Sequence, residues 1–246
     1  MIRLSERLEM IASHVRKGDI VADIGTDHGK LPLWLYEKGI SPEVILTDIS
    51  EPSLRKAEET AGAAQFGRTV SFRAGDGLVP LRSAEADTVV IAGMGGKLIR
   101  EILAADPEHT ATFSRLILQP RTASGPLRKW LLENGYRIVF EDIAREGRFL
   151  PEIITADSPD QGQLPDLAAE DRHWMKELRE DDIRLRVPPW IMRAGGHPRE
   201  FVRMRLRQEK DILENMKKSG TRNLKAERVI ALSVSYLEEL QKKGTK

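Results

Sequence analysis

Four short segments of glycine, aspartate and small residues have the composition of loops that bind a nucleoside. Each directly follows a run of apolar, often β-branched residues, which is the pattern of a buried strand running into a turn. Glycine lets the backbone come close to a ligand, and the carboxyl ends of parallel strands meet at one edge of a sheet. The residues concerned are Asp23, Gly25 and Thr26 in the first segment, Asp48 and Ile49 in the second, Gly75, Asp76 and Gly77 in the third, and Ala92, Gly93 and Met94 in the fourth.

The chemistry of these segments favours S-adenosylmethionine over a dinucleotide. The chain lacks the glycine fingerprint G-x-G-x-x-G that holds a pyrophosphate. Asp23 suits the cationic amino-acid end of S-adenosylmethionine, and Asp48, 23 residues after Gly25, can accept both ribose hydroxyls. Asp76 can receive the adenine amino group, and small residues around Gly93 leave room for a methyl group and its acceptor. Each segment alone is compatible with an ordinary turn, but the four in this order predict the cofactor site.

Alternating strands and helices over residues 1–157 predict an α/β fold. This alternation indicates a mostly parallel sheet with helices on both faces. The last two strands are joined only by Glu146-Gly147-Arg148, so we expect an antiparallel hairpin there. An antiparallel last strand distinguishes a Rossmann-like methyltransferase sheet from a simple dinucleotide-binding fold. The expected strands are Ile20–Ile24, Val44–Asp48, Val70–Arg73, Thr88–Ala92, Leu116–Gln119, Arg137–Ala144 and Glu152–Ala156; the expected helices are Glu6–Val15, Pro32–Lys38, Pro52–Phe66, Lys97–Ala104 and Gly125–Asn134.

A second, helical domain is predicted after residue 157. The segment Ser158-Pro159-Asp160-Gln161-Gly162 has the composition of a linker, so we expect a cofactor-binding domain at 1–157 and a helical domain at 158–246. Two apolar repeats flank Ser219-Gly220, where glycine favours the end of a helix. They predict a helical hairpin similar to an antiparallel coiled coil. Their apolar positions are Val202, Leu206, Leu213 and Met216, followed by Ala226, Ile230, Ser233, Leu237 and Leu240.

Composition and charge narrow the class of protein. With 246 residues, of which 40% are hydrophobic and 31% charged, the chain resembles an ordinary globular protein without a signal peptide or membrane span. It has no cysteine, which excludes disulfides and thiolate metal sites, and no clustered His, Asp and Glu indicate a metal. We therefore expect a cytoplasmic protein without a metal. Residues 184–228 hold 13 basic and 5 acidic side chains, which fits a polyanionic partner and a solvated helix face equally well.

Motifs spread over most of the chain resemble those of one family. They are Leu4-Ser5-Glu6-Arg7-Leu8, Ala22-Asp23-Ile24-Gly25-Thr26-Asp27-His28, Leu31-Pro32, Gly75-Asp76-Gly77-Leu78, Ile91-Ala92-Gly93-Met94-Gly95-Gly96 and Leu116-Ile117-Leu118-Gln119-Pro120. They resemble the bacterial tRNA methyltransferases that modify N1 of adenine 22, closely to about residue 157 and loosely beyond it. The resemblance implies a class I enzyme that uses S-adenosylmethionine and acts on tRNA. The chain departs from the family at Lys30, where an aromatic residue is expected, and at Arg121, where Asn is more usual.

The implied reaction needs alignment rather than a nucleophile from the protein, because the sulfonium charge already activates the leaving group. Adenine N1 has a free lone pair, and the methylated base stays cationic until its exocyclic amine loses a proton. Asp27 and Glu152 are the candidate carboxylates that stabilise this cation. His28 is the candidate to accept a proton or to contact the base or cofactor. Helix capping is the alternative role for Asp27 and His28, and an exposed strand charge is the alternative for Glu152.

The helical domain is predicted to contact tRNA. N1 lies on the Watson–Crick edge, so a paired base must leave its stack to be reached, and contacts to phosphates offset that cost. Basic residues at helical spacing could form one stripe along a predicted helix, although each could instead be solvated. The stripe consists of Arg199, Arg203, Arg207 and Lys210.

Three other functions fit part of this pattern. A methyltransferase of the same fold that acts on another RNA, a protein or a small molecule would keep the cofactor loops. A nicotinamide-dependent oxidoreductase is disfavoured by the missing glycine fingerprint. A non-catalytic RNA-binding scaffold would bind RNA without turnover. We expect a monomeric methyltransferase with tRNA as its partner.

Overall fold

An eight-stranded sheet forms the centre of the protein. The computed structural model describes residues 2–62, 69–159, 164–218 and 223–243. The strands are β1 (Val21–Ile24), β2 (Val44–Asp48), β3 (Val70–Ala74), β4 (Thr88–Met94), β5 (Arg115–Pro120), β6 (Arg137–Ile143), β7 (Glu152–Asp157) and β8 (Gly195–Gly196). They lie in the order β3-β2-β1-β4-β5-β7-β6-β8, and among the described strands β7 alone runs antiparallel to its neighbours. The predicted Rossmann-like sheet with an antiparallel strand is confirmed.

Helices cover both faces of this sheet. The five predicted helices are present, with ends shifted by a few residues, and the part of Pro52–Phe66 beyond Gly62 lies outside the described residues. Three short helices, a 3-10 turn at Ile191–Arg193 and the short strand β8 were not predicted. The helices are α1 (Glu6–Ser13), α2 (Lys30–Glu37), α3 (Glu51–Gly62), α4 (Gly96–Ala104), α5 (Pro107–Ala111), α6 (Ser124–Glu133), α7 (Arg172–Met175), α8 (Ile183–Arg186), α9 (Pro198–Lys218) and α10 (Leu224–Lys243).

Strand β1 shows how the sheet divides the core. Ala22 and Ile24 belong to the apolar cluster that includes residues of α4 and α6, whereas Val21 belongs to the cluster that includes α1, α2 and α3. Side chains alternate between the two faces of a strand, which places Asp23 on the face of α1 and α2. The strand therefore ends with a carboxylate at the boundary between an apolar core and the sheet edge.

The segment that follows the sheet packs back onto it. Met175, Leu185 and Trp190 belong to the same apolar cluster as the strands, and β8 pairs with β6 through Asp142 and Ile143. The division at residue 157 remains a prediction, and Asp160, Gln161 and Gly162 of the expected linker lie outside the described residues. In the described part of the chain, residues 164–196 complete the core of the sheet.

Helices α9 and α10 form the predicted hairpin. Buried Val202 and Leu206 pack in one cluster with Leu237 and Leu240, and Leu150 of the β6–β7 turn belongs to this cluster as well. Ser233 is buried too, while Leu213, Met216, Ala226 and Ile230 are half-buried; Ser219 and Gly220 lie outside the described residues. The hairpin is therefore held against the sheet at the turn between β6 and β7.

Candidate active site

Asp23 is a buried carboxylate at the end of β1, with 6% of its surface exposed. The Thr26 hydroxyl donates a 2.7 Å hydrogen bond to Oδ2 of Asp23. Burial raises the pKa of Asp23 to about 6; the nearby Asp48 raises it further, while the Thr26 hydrogen bond and the charge of Arg7 oppose the rise. Among the described residues this carboxylate has no ion-pair partner, so it is suited to bind a cationic ligand group.

The turn after β1 is held tightly against its neighbours. The backbone N–H groups of Gly25 and Thr26 donate to the Thr47 carbonyl at 2.8 and 3.1 Å. Gly25 has a φ of +73°, and a Cβ at this position would overlap the terminal methyl of Met94. The left-handed backbone favours glycine there, and a side chain would also displace the flexible end of Met94.

Asp48 joins the first three loops. Its Oδ1 accepts a 2.8 Å hydrogen bond from the Ser50 N–H, and its Oδ2 accepts one of 3.3 Å from the Asp27 N–H. The Gly75 N–H donates to the Asp48 carbonyl at 3.1 Å. Ile49 beside it is 73% exposed although it is apolar. The second loop thus combines a positioned carboxylate with an uncovered apolar surface.

The third loop borders a recess. Asp76 is exposed, and Gly77 has a φ of +51°. A cavity of about 630 Å³ touches this loop at Asp76 and Gly77 and continues between α4 and α5, where Leu98 and Ile102 line it. The loop therefore places a carboxylate at the mouth of a partly apolar space.

Arg7 links the fourth loop to the turn between β6 and β7. The Gly93 N–H donates to Oε1 of Gln119 at 3.1 Å, and Nη1 of Arg7 donates to the same oxygen at 3.1 Å. Nε of Arg7 donates to Oε1 of Glu146 at 3.0 Å. Arg7 was not among the predicted site residues, because its partners lie more than 100 positions away in the chain. Its presence in the motif Leu4-Ser5-Glu6-Arg7-Leu8 was the one signal that singled it out.

Asp27 and His28 stand at the open side of the first loop. They are 62% and 50% exposed, and His28 Nε2 lies 3.6 Å from Oδ2 of Asp27. Lys56 Nζ lies 3.9 Å from Oδ1 of Asp27. Gly29 is the N-terminal cap of α2, and no described side chain caps this helix. Helix capping, the alternative role for Asp27 and His28, is therefore wrong, and both side chains are available to a ligand.

Glu152 is a buried member of an ion-pair network. Its Oε1 accepts hydrogen bonds from the Ser124 hydroxyl at 3.0 Å and from Nη2 of Arg205 at 3.2 Å, and its Oε2 accepts one from Arg128 at 3.1 Å. Glu152 is 5% exposed, so the alternative of an exposed strand charge is wrong. Because both oxygens already have cationic donors, the geometry gives Glu152 a role in positioning, and its catalytic role stays a prediction.

The second half of this network is completely enclosed. Arg128 is fully buried and donates to the carboxylate of Glu141 and to the Leu185 carbonyl. The Trp190 indole N–H donates to Oε2 of Glu141 at 2.6 Å. Burial raises the pKa of Glu141 against the opposing pull of Arg128. These bonds hold strand β6, helix α6 and the segment after β7 together, beside the sheet edge that carries Glu152.

The predicted basic stripe lies on the exposed side of α9. Arg199, Arg203 and Arg207 are exposed and have no ion pair within the described part of the chain. Lys210 is also exposed, but its Nζ lies 2.7 Å from Oε1 of Glu238 on α10. Arg205 points the other way, towards Glu152. Three of the four predicted residues are therefore free to meet a polyanion, and the fourth is paired.

Among the described residues, no group of three or more His, Asp or Glu side chains is placed to hold a metal ion. No helix in that part of the chain combines the length and the apolar character that a membrane span requires.

Comparison with known proteins identifies the family. Residues 4–154 match the family model described as "Methyltransferase domain". Over 160 residues the chain is 33% identical to the tRNA (adenine(22)-N(1))-methyltransferase of Bacillus subtilis, an alignment that covers 65% of this chain and 67% of that protein. The chain belongs to the tRNA (adenine(22)-N(1))-methyltransferase family. The resemblance found in the sequence motifs is thus confirmed.

Solved structures of similar proteins extend the likeness over the C-terminal part. Streptococcus pneumoniae Sp1610 is 28% identical with a TM-score of 0.80, and the match covers 97% of this chain and 100% of that chain. The structure of the same protein in complex with S-adenosyl-L-methionine is 26% identical in sequence with a TM-score of 0.75, and the match has the same coverage. The B. subtilis M1A22 tRNA methyltransferase TrmK is 26% identical in sequence with a TM-score of 0.76, and the match covers 100% of both chains. The helical hairpin is therefore part of the fold that these relatives share.

Proposed function

We propose that the protein transfers a methyl group from S-adenosylmethionine to N1 of adenine 22 in tRNA. The observation that carries this proposal is the meeting of four loops at one sheet edge, with Asp48 bonded to the loops after β1 and β3 and Met94 packed on Gly25. The family to which the chain belongs supports the choice of tRNA and of the base. A cytoplasmic, monomeric enzyme is part of the same proposal.

The residues at this edge fit the charges of S-adenosylmethionine, which supplies a methyl group activated by a sulfonium. Asp23, with its raised pKa, would hold the amino group, and Arg7, whose charge acts on Asp23, would face the carboxylate. Asp48 would accept the ribose hydroxyls. Asp76 would receive the adenine amino group. Gly93 has no side chain, so it would leave room for the methyl group and its acceptor. The negative Asp23 and the positive Arg7 would thus match the amino and carboxylate groups of the amino-acid end of S-adenosylmethionine.

The remaining contribution of the chain is to orient the base and to deal with its positive charge. Asp27 and His28 are exposed beside Asp48, so either can approach the exocyclic amine of a bound adenine. We assign Asp27 to stabilise the cationic methylated base and His28 to accept a proton or contact the base. Glu152 acts through Arg205, because their ion pair fixes helix α9 beside the sheet edge.

The hairpin would hold the body of the tRNA. Arg199, Arg203 and Arg207 form the free part of the basic stripe on α9. Contacts of guanidinium groups with phosphates give affinity without reading sequence, and they offset the cost of extruding a base. Lys210 contributes less to this surface because Glu238 already neutralises it.

A direct test compares two transcripts that differ in one base. Purified protein is incubated with labelled S-adenosylmethionine and either a tRNA transcript with adenine at position 22 or the same transcript with guanine there. We expect 1-methyladenosine, detected by mass spectrometry of the nuclease digest, in the first transcript alone. Equal methylation of both transcripts, or of neither, would contradict the proposed site.

A further inference from the structure

The turn between β6 and β7 presents an aromatic ring to solvent in a fixed position. Glu146 and Phe149 exchange two backbone hydrogen bonds, each of 3.0 Å, around Gly147, whose φ is +59°. This pairing closes a tight turn and sets the direction of the residue at its end. Phe149 is 61% exposed, although a phenyl ring gains free energy from burial. The turn therefore displays an aromatic ring most of whose surface is open to solvent.

One side of this turn is tied to the edge that carries the cofactor loops. Strand β6 is parallel to β5, because both run antiparallel to β7, so the turn after β6 lies at the edge where β1 and β4 end. Arg7 bonds Glu146 of the turn and also Gln119, whose side-chain oxygen accepts the Gly93 N–H. A single guanidinium group thus connects the turn of Phe149 to the loop of Gly93.

The other side of the turn is tied to the hairpin. Leu150, next to Phe149, packs in the apolar cluster of Phe201, Val202 and Leu206 on α9. The exposed residues of the basic stripe lie on this same helix. An RNA strand that passes from α9 to the methyl-transfer edge would meet the turn between them.

The guanidinium group of Arg148 lies next to the ring of Phe149. The guanidinium carbon of Arg148 lies 5.2 Å from the centroid of Phe149, within the range of a cation–π contact. Arg148 is exposed and forms no ion pair within the described residues, whereas Arg145 at the other end of the turn is paired with Glu200. An exposed aromatic face beside a free arginine is the combination that binds single-stranded bases and their phosphates.

We infer that Phe149 stacks on the target adenine once this base has left the tRNA helix, and that Arg148 contacts the adjoining phosphate. The inference rests on the proposed function and adds to it the surface that receives the extruded base.

The test uses two replacements at Phe149 that differ in aromatic character. Phe149→Leu keeps an apolar side chain but removes the aromatic face, whereas Phe149→Tyr keeps that face. Loss of stacking on one base corresponds to a decrease of about 10-fold to 100-fold in kcat/KM for tRNA. We expect this decrease for the leucine variant and near wild-type values for the tyrosine variant, with S-adenosylhomocysteine affinity and Tm unchanged in both.

A second measurement reports the stack itself. A tRNA carrying 2-aminopurine at position 22 should fluoresce less when bound to the wild-type protein than when bound to the Phe149→Leu variant, because stacking on the ring quenches the extruded base. Wild-type kinetics and quenching in Phe149→Leu would overturn the inference while leaving the proposed function in place. A wild-type protein that forms no 1-methyladenosine would overturn both, so the two failures are distinguishable.

Discussion

The terminal methyl of Met94 occupies the space that a Cβ on Gly25 would need, so the first and fourth loops touch at the centre of the candidate cofactor site. Gly25 and Gly93 both have left-handed backbones, with φ of +73° and +80°, but a Cβ on Gly93 would meet no described atom within 4 Å. A substitution at Gly93 therefore tests backbone strain alone, whereas one at Gly25 tests backbone strain together with overlap on Met94.

We expect Gly25→Ala to destabilise the protein more than Gly93→Ala. Both changes carry the cost of a left-handed alanine, roughly 1–2 kcal/mol, and Gly25→Ala adds a smaller cost because the flexible end of Met94 must move aside. Urea unfolding measures both. Adding Met94→Ala should recover part of the loss in Gly25→Ala but none in Gly93→Ala. A double-mutant cycle without coupling between positions 25 and 94 would contradict the proposed overlap.

Asp23 gives the protein a specific dependence on pH. Its pKa is raised from 3.8 to about 6, so the folded protein prefers the neutral form. The stability that protonated Asp23 gives the folded state is fully present below pH 4 and is lost as pH rises through 6, because the buried side chain then becomes charged. Relative to wild type, Asp23→Asn should therefore become more stable between pH 4 and 6.5, by up to about 3 kcal/mol, and then stay level. Chemical denaturation of both proteins across this range provides the measurement.

Binding should follow the opposite trend. A protonated Asp23 cannot pair with the amino group of S-adenosylhomocysteine, so the affinity of wild type should fall as pH decreases below 6. Asp23→Asn should bind weakly and show little change over the same range. Calorimetry at several pH values tests this, and an identical pH profile for the two proteins would argue against contact between Asp23 and the amino group.

Arg7 should recognise the carboxylate of the cofactor. We expect Arg7→Met to lower affinity for S-adenosylhomocysteine by about 10-fold, the loss of one charge-assisted interaction. Affinity for 5′-methylthioadenosine, which lacks the amino-acid end, should stay the same. Arg7→Lys, which keeps the charge, should lie between. Equal losses for both ligands would indicate instead that Arg7 acts only by holding Gln119 and Glu146.

The stripe on α9 contains its own control. Arg203→Gln should weaken binding to all tRNAs alike and reduce the slope of log affinity against log salt concentration by about 1. Lys210→Gln should do so less, because the Lys210 ammonium lies 2.7 Å from Glu238. Filter binding at several salt concentrations decides between them. If Lys210→Gln matches Arg203→Gln, the ion pair with Glu238 does not limit contact with RNA.

Glu152 and Arg205 can be tested as a pair. Arg205→Met removes the link to α9 but keeps the carboxylate, whereas Glu152→Gln removes the negative charge itself. If their ion pair positions the hairpin, both variants should raise KM for tRNA and leave kcat close to wild type. Steady-state kinetics distinguish this from a catalytic Glu152, for which Glu152→Gln alone would lower kcat.

The strands and the four loops could be predicted because their signals are local. A run such as Val44–Asp48 is apolar, β-branched and bounded by a polar residue, and the observed strand has the same ends. Gly25 and Asp48 follow such runs directly, so their place at the sheet edge was implied by the parallel order of the strands. The turn at Gly147 likewise predicted the antiparallel pairing of β6 and β7.

The missed features depend on contacts between distant residues. Helices α7 and α8 have four residues each, too few to show a period, and β8 is two glycines without a side-chain pattern. Nothing local in the sequence shows that Arg7 reaches Gln119, or that Glu152 is buried by Arg128 and Arg205. Charged residues are read as solvated unless a partner is known, and here the partners come from other elements.

The enclosure of Arg128 limits how this enzyme can be divided. Its guanidinium group is capped by the Leu185 carbonyl, and its partner Glu141 is bonded by Trp190, so the lid over this buried charge comes from beyond the strands that bear the cofactor loops. A protein cut after the last large strand would keep the charge and lose its cover. Exchange of the RNA-binding hairpin between relatives would therefore have to leave residues 164–196 with the sheet, because Leu185 and Trp190 belong to that segment.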